Sequence, residues 1–147
     1  ERVPFIVSFP GGQEKRFSSF AGTAEIGARE LRPRSISRQG LIGAYTNSPR
    51  GISIISPTGD LLRWFEATGA VDRPLRWTPD GFALTAVNRQ DSSNVWSYPV
   101  DGGEQRRLTS FTEGSTNSIA WSRDGTRLAL SRGHDRVDVV VFTTGVK

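Results

Sequence analysis

The chain has 147 residues, which suits one ordinary domain or a piece of a larger one. Its 35% hydrophobic and 23% charged residues, with 16 Gly and 8 Pro, describe a turn-rich globular chain and exclude a disordered one; no apolar run reaches the roughly 18 residues that span a bilayer, and the absence of cysteine excludes disulfides, thiolate nucleophiles and thiolate metal sites. The net charge of +4 is carried almost wholly by arginine, 17 residues against two lysines, scattered along the chain and not clustered with aromatics, which argues against nucleic acid and leaves solvated surface or an anionic partner.

In chain order, no signal-peptide pattern opens the sequence, and the start at Glu1 without Met suits a mature product or an excised piece. Residues 3–9 form a β-rich apolar run. Pro10, Gly11 and Gly12 break it, and a more polar strand follows over 13–17. Residues 18–30 carry a weak helical pattern, but Gly22 and Gly27 interrupt it, so a connecting loop is expected. Strand, turn and strand follow over 34–37, 38–40 and 41–45. A hairpin is expected over 51–55, 56–59 and 60–64. Next comes the most informative stretch, Leu75-Arg-Trp-Thr-Pro-Asp-Gly81, with a second strand over 82–87. Strands over 94–98 and 104–108 flank a glycine turn. Ile119-Ala-Trp-Ser-Arg-Asp-Gly125 then repeats the earlier stretch, with strands over 126–131 and 137–142 beyond it.

Two sets of landmarks share one period. Turn glycines at 40, 81 and 125 are spaced by 41 and 44 residues, and hairpin glycines at 12, 59 and 103 by 47 and 44. A self-similar unit of about 40–45 residues with four strands is the signature of a β-propeller blade. The fold expected is therefore all-β: a propeller segment of about three four-stranded blades. Residues 3–17 close a partial blade, 31–66 and 71–110 form two blades, and 117–143 form a final blade lacking its outer strand. Such a segment is an incomplete ring, because propellers close with 4–8 blades and open ends expose sheet edges. Either it belongs to a longer propeller, or two copies close a homodimeric ring in which residues 3–17 of one complete the last blade of the other. An open or differently paired sheet is the remaining alternative.

At each blade's first turn, Asp80 and Asp124 accept backbone N–H bonds, and Gly81 and Gly125 take the left-handed conformation. Trp77 and Trp121 precede those turns and are expected to pack between neighbouring blades, where a buried indole contributes a large area. Trp96 marks the third strand of the same unit.

The pattern carried by Trp77-Thr-Pro-Asp-Gly81, Asn94-Val-Trp96, Asp101-Gly-Gly-Glu104, Arg107-Leu-Thr109 and Trp121-Ser-Arg-Asp-Gly125 resembles the TolB-like, WD-repeat-like propeller repeats of bacteria. The resemblance is good over 71–143, moderate over 3–17 and weak over 31–64. The part from Asn94 to Phe142 is similar to the C-terminal end of propeller sensor domains joined to bacterial kinases or winged-helix regulators. It implies a rigid scaffold for protein or ligand contacts, periplasmic or otherwise outside the cytoplasmic membrane. It does not fix function, since such blades serve sensors and peptidases alike.

No catalytic machinery is legible. His134 is the sole histidine, no Gly-X-Ser-X-Gly sequence accompanies it, and no calcium-loop spacing of aspartates occurs, so neither cofactor nor metal is expected. The loops that recur on one face of a propeller hold Asn47, Arg50, Asn88, Arg89, Arg132, His134 and Arg136. Repeated arginines there suit a carboxylate-bearing or otherwise anionic partner, bound by paired hydrogen bonds. The reading is a non-enzymatic binding or sensory scaffold for a protein or small ligand, without nucleic-acid binding or membrane insertion. An accessory propeller of a larger enzyme such as a serine peptidase, and a structural self-assembly module, are the alternatives.

Overall fold

The computed structural model of the chain describes residues 5–7, 11–12, 14–16, 31–67 and 71–134. The expected loop over 18–30, the expected strand over 137–142 and Arg136 lie outside these residues. The described chain is all-β and antiparallel. Strands β1 (Phe5–Val7) and β2 (Glu14–Arg16) pair as a short hairpin. A four-stranded sheet follows: β3 (Leu31–Ile36), β4 (Ile42–Asn47), β5 (Arg50–Ile55) and β6 (Leu61–Glu66), paired in sequence order. The second four-stranded sheet repeats that order with β7 (Val71–Trp77), β8 (Ala83–Asn88), β9 (Asn94–Pro99) and β10 (Arg106–Arg107). Strands β11 (Ser115–Trp121) and β12 (Leu128–Gly133) form the last described sheet.

The middle strands are buried on both faces, as runs such as Ile52-Ser-Ile-Ile55 and Leu84-Thr-Ala-Val87 require. One face of the first sheet (Tyr45, Ile52, Ile54) meets one face of the second (Leu75, Leu84, Ala86, Tyr98), with Phe65, Trp77 and Trp96 around the rim. The opposite face of the second sheet (Val87, Val95) packs on Ile119, Leu128 and Leu130 of the third. The first strands are neighbours: β7 abuts both β3 and β11.

One turn chemistry recurs at the β3–β4, β5–β6, β7–β8 and β11–β12 connections. A hydroxyl residue opens each turn (Ser37, Ser56, Thr78, Ser122), and its carbonyl accepts the N–H of the glycine three residues on, at 2.8–3.0 Å. Those glycines, Gly40, Gly59, Gly81 and Gly125, have φ of 82°, 99°, 77° and 72°. The opening hydroxyl oxygen accepts the N–H that closes the turn, from Leu41 (3.1 Å), Asp60 (3.0 Å), Ala83 (3.0 Å) and Arg127 (2.9 Å). A valine at 125 meets the left-handed φ with a β-branched side chain, so Gly125→Val is expected to cost more than about 1 kcal/mol. An unchanged denaturation midpoint would show that the turn tolerates it.

In the β9–β10 turn, the sequence placed the turn glycine at 103. The residue with positive φ is Gly102, at 87°. Asp101 Oδ1 accepts the Gly103 N–H at 2.9 Å, and this local ring places the left-handed residue between them.

The indoles show how the sheets meet. Trp121 Nε1 donates across to Thr85 Oγ1 of the second sheet at 3.1 Å. Trp77, its counterpart one sheet earlier, has a buried Nε1 without a hydrogen-bond partner among the described residues. Register explains the difference: Thr85 pairs with Arg76 as Gly43 pairs with Ser35, so Gly43 occupies the position from which Thr85 supplies its hydroxyl. Trp96 Nε1 stays within its own sheet and donates to Asp91 Oδ2 at 2.8 Å.

Candidate functional site

Antiparallel pairing sends the hydroxyl–glycine turns of β3–β4, β7–β8 and β11–β12 to one end of their sheets. It sends the β4–β5 turn, the β8–β9 loop and the end of β12 to the other. The second end holds Arg50, Arg89 and Arg132 of the arginines singled out in the sequence, and they divide into two groups.

Arg132 is not available to a ligand. Its guanidinium donates to Thr116 Oγ1, to the Glu113 carbonyl and to the Ser93 carbonyl (3.4 Å), and it lies 3.5 Å over the Phe111 ring. Stacking on the ring face adds to the hydrogen bonds. Thr116 Oγ1 donates to the same Ser93 carbonyl at 2.7 Å. Arg132 is therefore a clasp between the β8–β9 loop, the segment after β10 and the third sheet. Asn88 is also local: it is 9% exposed, and its Oδ1 accepts the Gln90 N–H at 3.0 Å, starting the loop. Asn47 is exposed and already makes an interaction. Arg50, Arg89 and His134 are exposed as well.

The centre of this end is a residue that the sequence placed only within a repeat motif. Asn94 is fully buried and uses its whole amide. Its Nδ2 donates to the carbonyls of Asp91 (2.8 Å) and Phe111 (3.0 Å). Its Oδ1 accepts from Thr109 Oγ1 (2.8 Å) and the Phe111 N–H (2.7 Å). The side chain thus ties the loop before β9 to the chain after β10. The same loop holds Ser92 and Ser93 at φ 48° and 53°, positions uncommon for non-glycine residues. Ser92 Oγ donates to the Thr112 carbonyl at 3.1 Å, which helps to hold the pair there. Asp91, in the same loop, receives Trp96 Nε1 on one oxygen and Arg107 Nη1 on the other, at 3.4 Å. An asparagine just before an apolar strand, with a threonine and an aromatic 15 and 17 residues on, was the available signal.

At the opposite end, the turn carboxylates are acceptors. Ser122 Oγ donates to Asp124 Oδ1 at 2.6 Å, and the Thr126 N–H and hydroxyl add bonds at 3.1 and 2.9 Å. These bonds, the Ser122 hydroxyl foremost, hold the Asp124 carboxyl down at about 2. Thr78 and the Phe82 N–H lower Asp80 in the same way. Neighbouring turns touch: Gln39 Nε2 donates to the Asp80 carbonyl at 2.8 Å, and Pro79 lies beside Gly125.

The sign of the pH dependence follows. A carboxyl whose folded value lies below its unfolded 3.8 stabilises the fold above that value, and the contribution fades as pH falls from about 4 towards about 2. The melting midpoint is expected to drop across this window, and Asp124→Asn should make the drop shallower. An identical pH profile in the variant would remove the turn carboxylate as its source.

An open groove of about 480 Å³ lies between β6 and the β9–β10 hairpin, lined by Trp64, Phe65, Glu66, Trp96 and residues 103–105. Phe65 meets Tyr98 edge to face, with ring centroids 5.4 Å apart, so its aromatic surface is partly taken up by the contact between sheets. No family model matches the chain.

Proposed function

We propose that the chain is a β-propeller segment of the TolB-like, WD-repeat-like kind, serving as a non-catalytic binding or sensory scaffold for an anionic partner, a protein or a small ligand. The observation that carries this reading is the placement of exposed Arg50 and Arg89 on equivalent connections of successive sheets, with exposed His134 at the same end of the next. A radial arrangement is supported by the adjacency of β3, β7 and β11 and by the recurrent turn at their other end. Arginine suits carboxylates because its planar fork donates two parallel bonds.

The test is a titration of isotopically labelled protein with a polyglutamate peptide, followed through amide chemical shifts. Shifts concentrated around Arg50, Arg89 and His134, and lost in Arg50→Glu/Arg89→Glu, support the reading. Shifts elsewhere, or unaffected by the double variant, sink it.

Ring closure belongs to the same proposal. In the second sheet, Thr85 and Val87 are covered by the third sheet; their counterparts in the third, Ala129 and Ser131, are exposed. A further sheet, from a second copy or from additional chain, would complete the ring there. Light scattering over a dilution series distinguishes a stable dimer from a monomer that needs more sequence.

A further inference from the structure

Three Asp-Gly pairs occur, at 80–81, 101–102 and 124–125. Glycine carries no Cβ to shield its amide nitrogen, so an Asp-Gly pair is the sequence most open to attack by that nitrogen on the preceding carboxyl. Whether attack occurs depends on what the nitrogen and carboxyl are already doing.

At two of the pairs the fold occupies both groups. The Gly81 N–H donates to the Thr78 carbonyl at 2.8 Å, and the Gly125 N–H to the Ser122 carbonyl at 3.0 Å. Their carboxylates are gripped by the hydroxyls of Thr78 and Ser122, each at 2.6 Å. Both carboxyls are also held below the ordinary value, which keeps them ionised and poor at losing oxygen. The β9–β10 turn is built differently. Asp101 and Gly102 are both exposed, and the Gly102 N–H, which closes the turn over Val100 and Asp101, makes no short backbone bond like those of Gly81 and Gly125 among the described residues. The Asp101 carboxylate accepts the Gly103 N–H, with no hydroxyl beside it.

We propose that Asp101–Gly102 is a site of spontaneous isoaspartate formation, and that the turn geometry protects the other two Asp-Gly pairs. The Gly102 nitrogen gives its proton to solvent and bonds to Cγ of Asp101, and the side-chain hydroxyl of the protonated carboxyl leaves as water. A second water opens the resulting succinimide. Opening at the main-chain carbonyl leaves the chain running through Cβ; opening at Cγ restores Asp. One water is lost and one regained, so mass is unchanged and no oxidant or reductant is needed.

The site has a structural consequence. The Asp101 carbonyl accepts Arg63 Nη2 at 3.3 Å, a link from β6 of the first sheet to this turn of the second. In the isoaspartyl form that carbonyl becomes a free carboxylate on Cα and the backbone is one carbon longer, so the geometry of the Arg63 link changes.

The experiment is incubation of the intact chain for several weeks at neutral pH and body temperature. Isoaspartyl methyltransferase labelling and mapping of the tryptic peptides 77–89, 90–106 and 124–127 then locate the product. Electron-transfer fragmentation separates Asp101 from Asp91 within the middle peptide. Isoaspartate is expected to accumulate at 101 roughly tenfold faster than at 80 or 124, a modest barrier difference. In concentrated urea the three rates should converge, and Asp101→Glu should remove the product at 101 in the folded chain. Equal folded-state rates at the three pairs, or no product at 101 when the urea control forms it, would overturn the proposal.

Discussion

Replacement of Asn94 by alanine is expected to destabilise the chain by about 3 kcal/mol or more, among the largest effects of any single polar substitution. The side chain is fully buried and makes four hydrogen bonds, so truncation leaves two carbonyls, a hydroxyl and an N–H to find new partners in a closed space. Asp is no substitute: its second oxygen would face the carbonyls of Asp91 and Phe111, which now accept from Nδ2, and an unpaired buried charge costs more than a lost amide. Asn117, exposed on β11, provides the control, with Asn117→Ala expected within about 0.5 kcal/mol of the parent. Chemical denaturation measures both. A loss below about 1 kcal/mol for Asn94→Ala would mean that the loop end is held by Arg132 and the turn backbone without it.

That loop end shows where sequence reasoning stops. The arginines were legible as recurring on one face, because hairpin connections alternate between the ends of a sheet. The role of each was not. Arg132 finds its partners at Ser93, Glu113 and Thr116, which are 39, 19 and 16 residues away, and no local pattern announces a clasp assembled from two connections and a strand. The turns at the opposite end were legible because their physics is local. At Ser37, Ser56, Thr78 and Ser122 the hydroxyl residue and the glycine three positions on close the turn with their own hydrogen bonds, which is why the turn at Ser37 forms without the tryptophan or aspartate found in the later copies. Where two glycines adjoin, as at 102 and 103, composition does not say which takes the left-handed conformation; the Asp101 side chain decides it. The sequence spacing likewise set Trp77 and Trp121 as equivalent. Their indole N–H groups differ because the residue across the sheet contact is Gly43 in one case and Thr85 in the other.

Gly43 also carries the second large expectation, for the contact between the two four-stranded sheets. Leu84 is fully buried and lies over Gly43: a Cβ added there would sit 2.7 Å from Leu84 Cδ2 and 2.9 Å from Ser35 Oγ. Gly43→Ala is therefore expected to cost about 2 kcal/mol through overpacking, although the residue it introduces suits a strand better than glycine does. Leu84→Ala should cost about 3 kcal/mol, from lost burial plus the cavity left between sheets that cannot fully collapse. If the leucine seats on the glycine, the double variant must be more stable than the sum of the single losses predicts, because the new methyl enters the space that the leucine vacates. A favourable coupling of about 1 kcal/mol is the expected result of that cycle. Additivity within about 0.3 kcal/mol would mean that the two residues do not share the contact. At the next contact Leu128, the counterpart of Leu84, packs in an apolar cluster with Val87 and Val95, and the Trp121 indole adds a hydrogen bond to Thr85, so burial carries both contacts and only the second also has an indole bond.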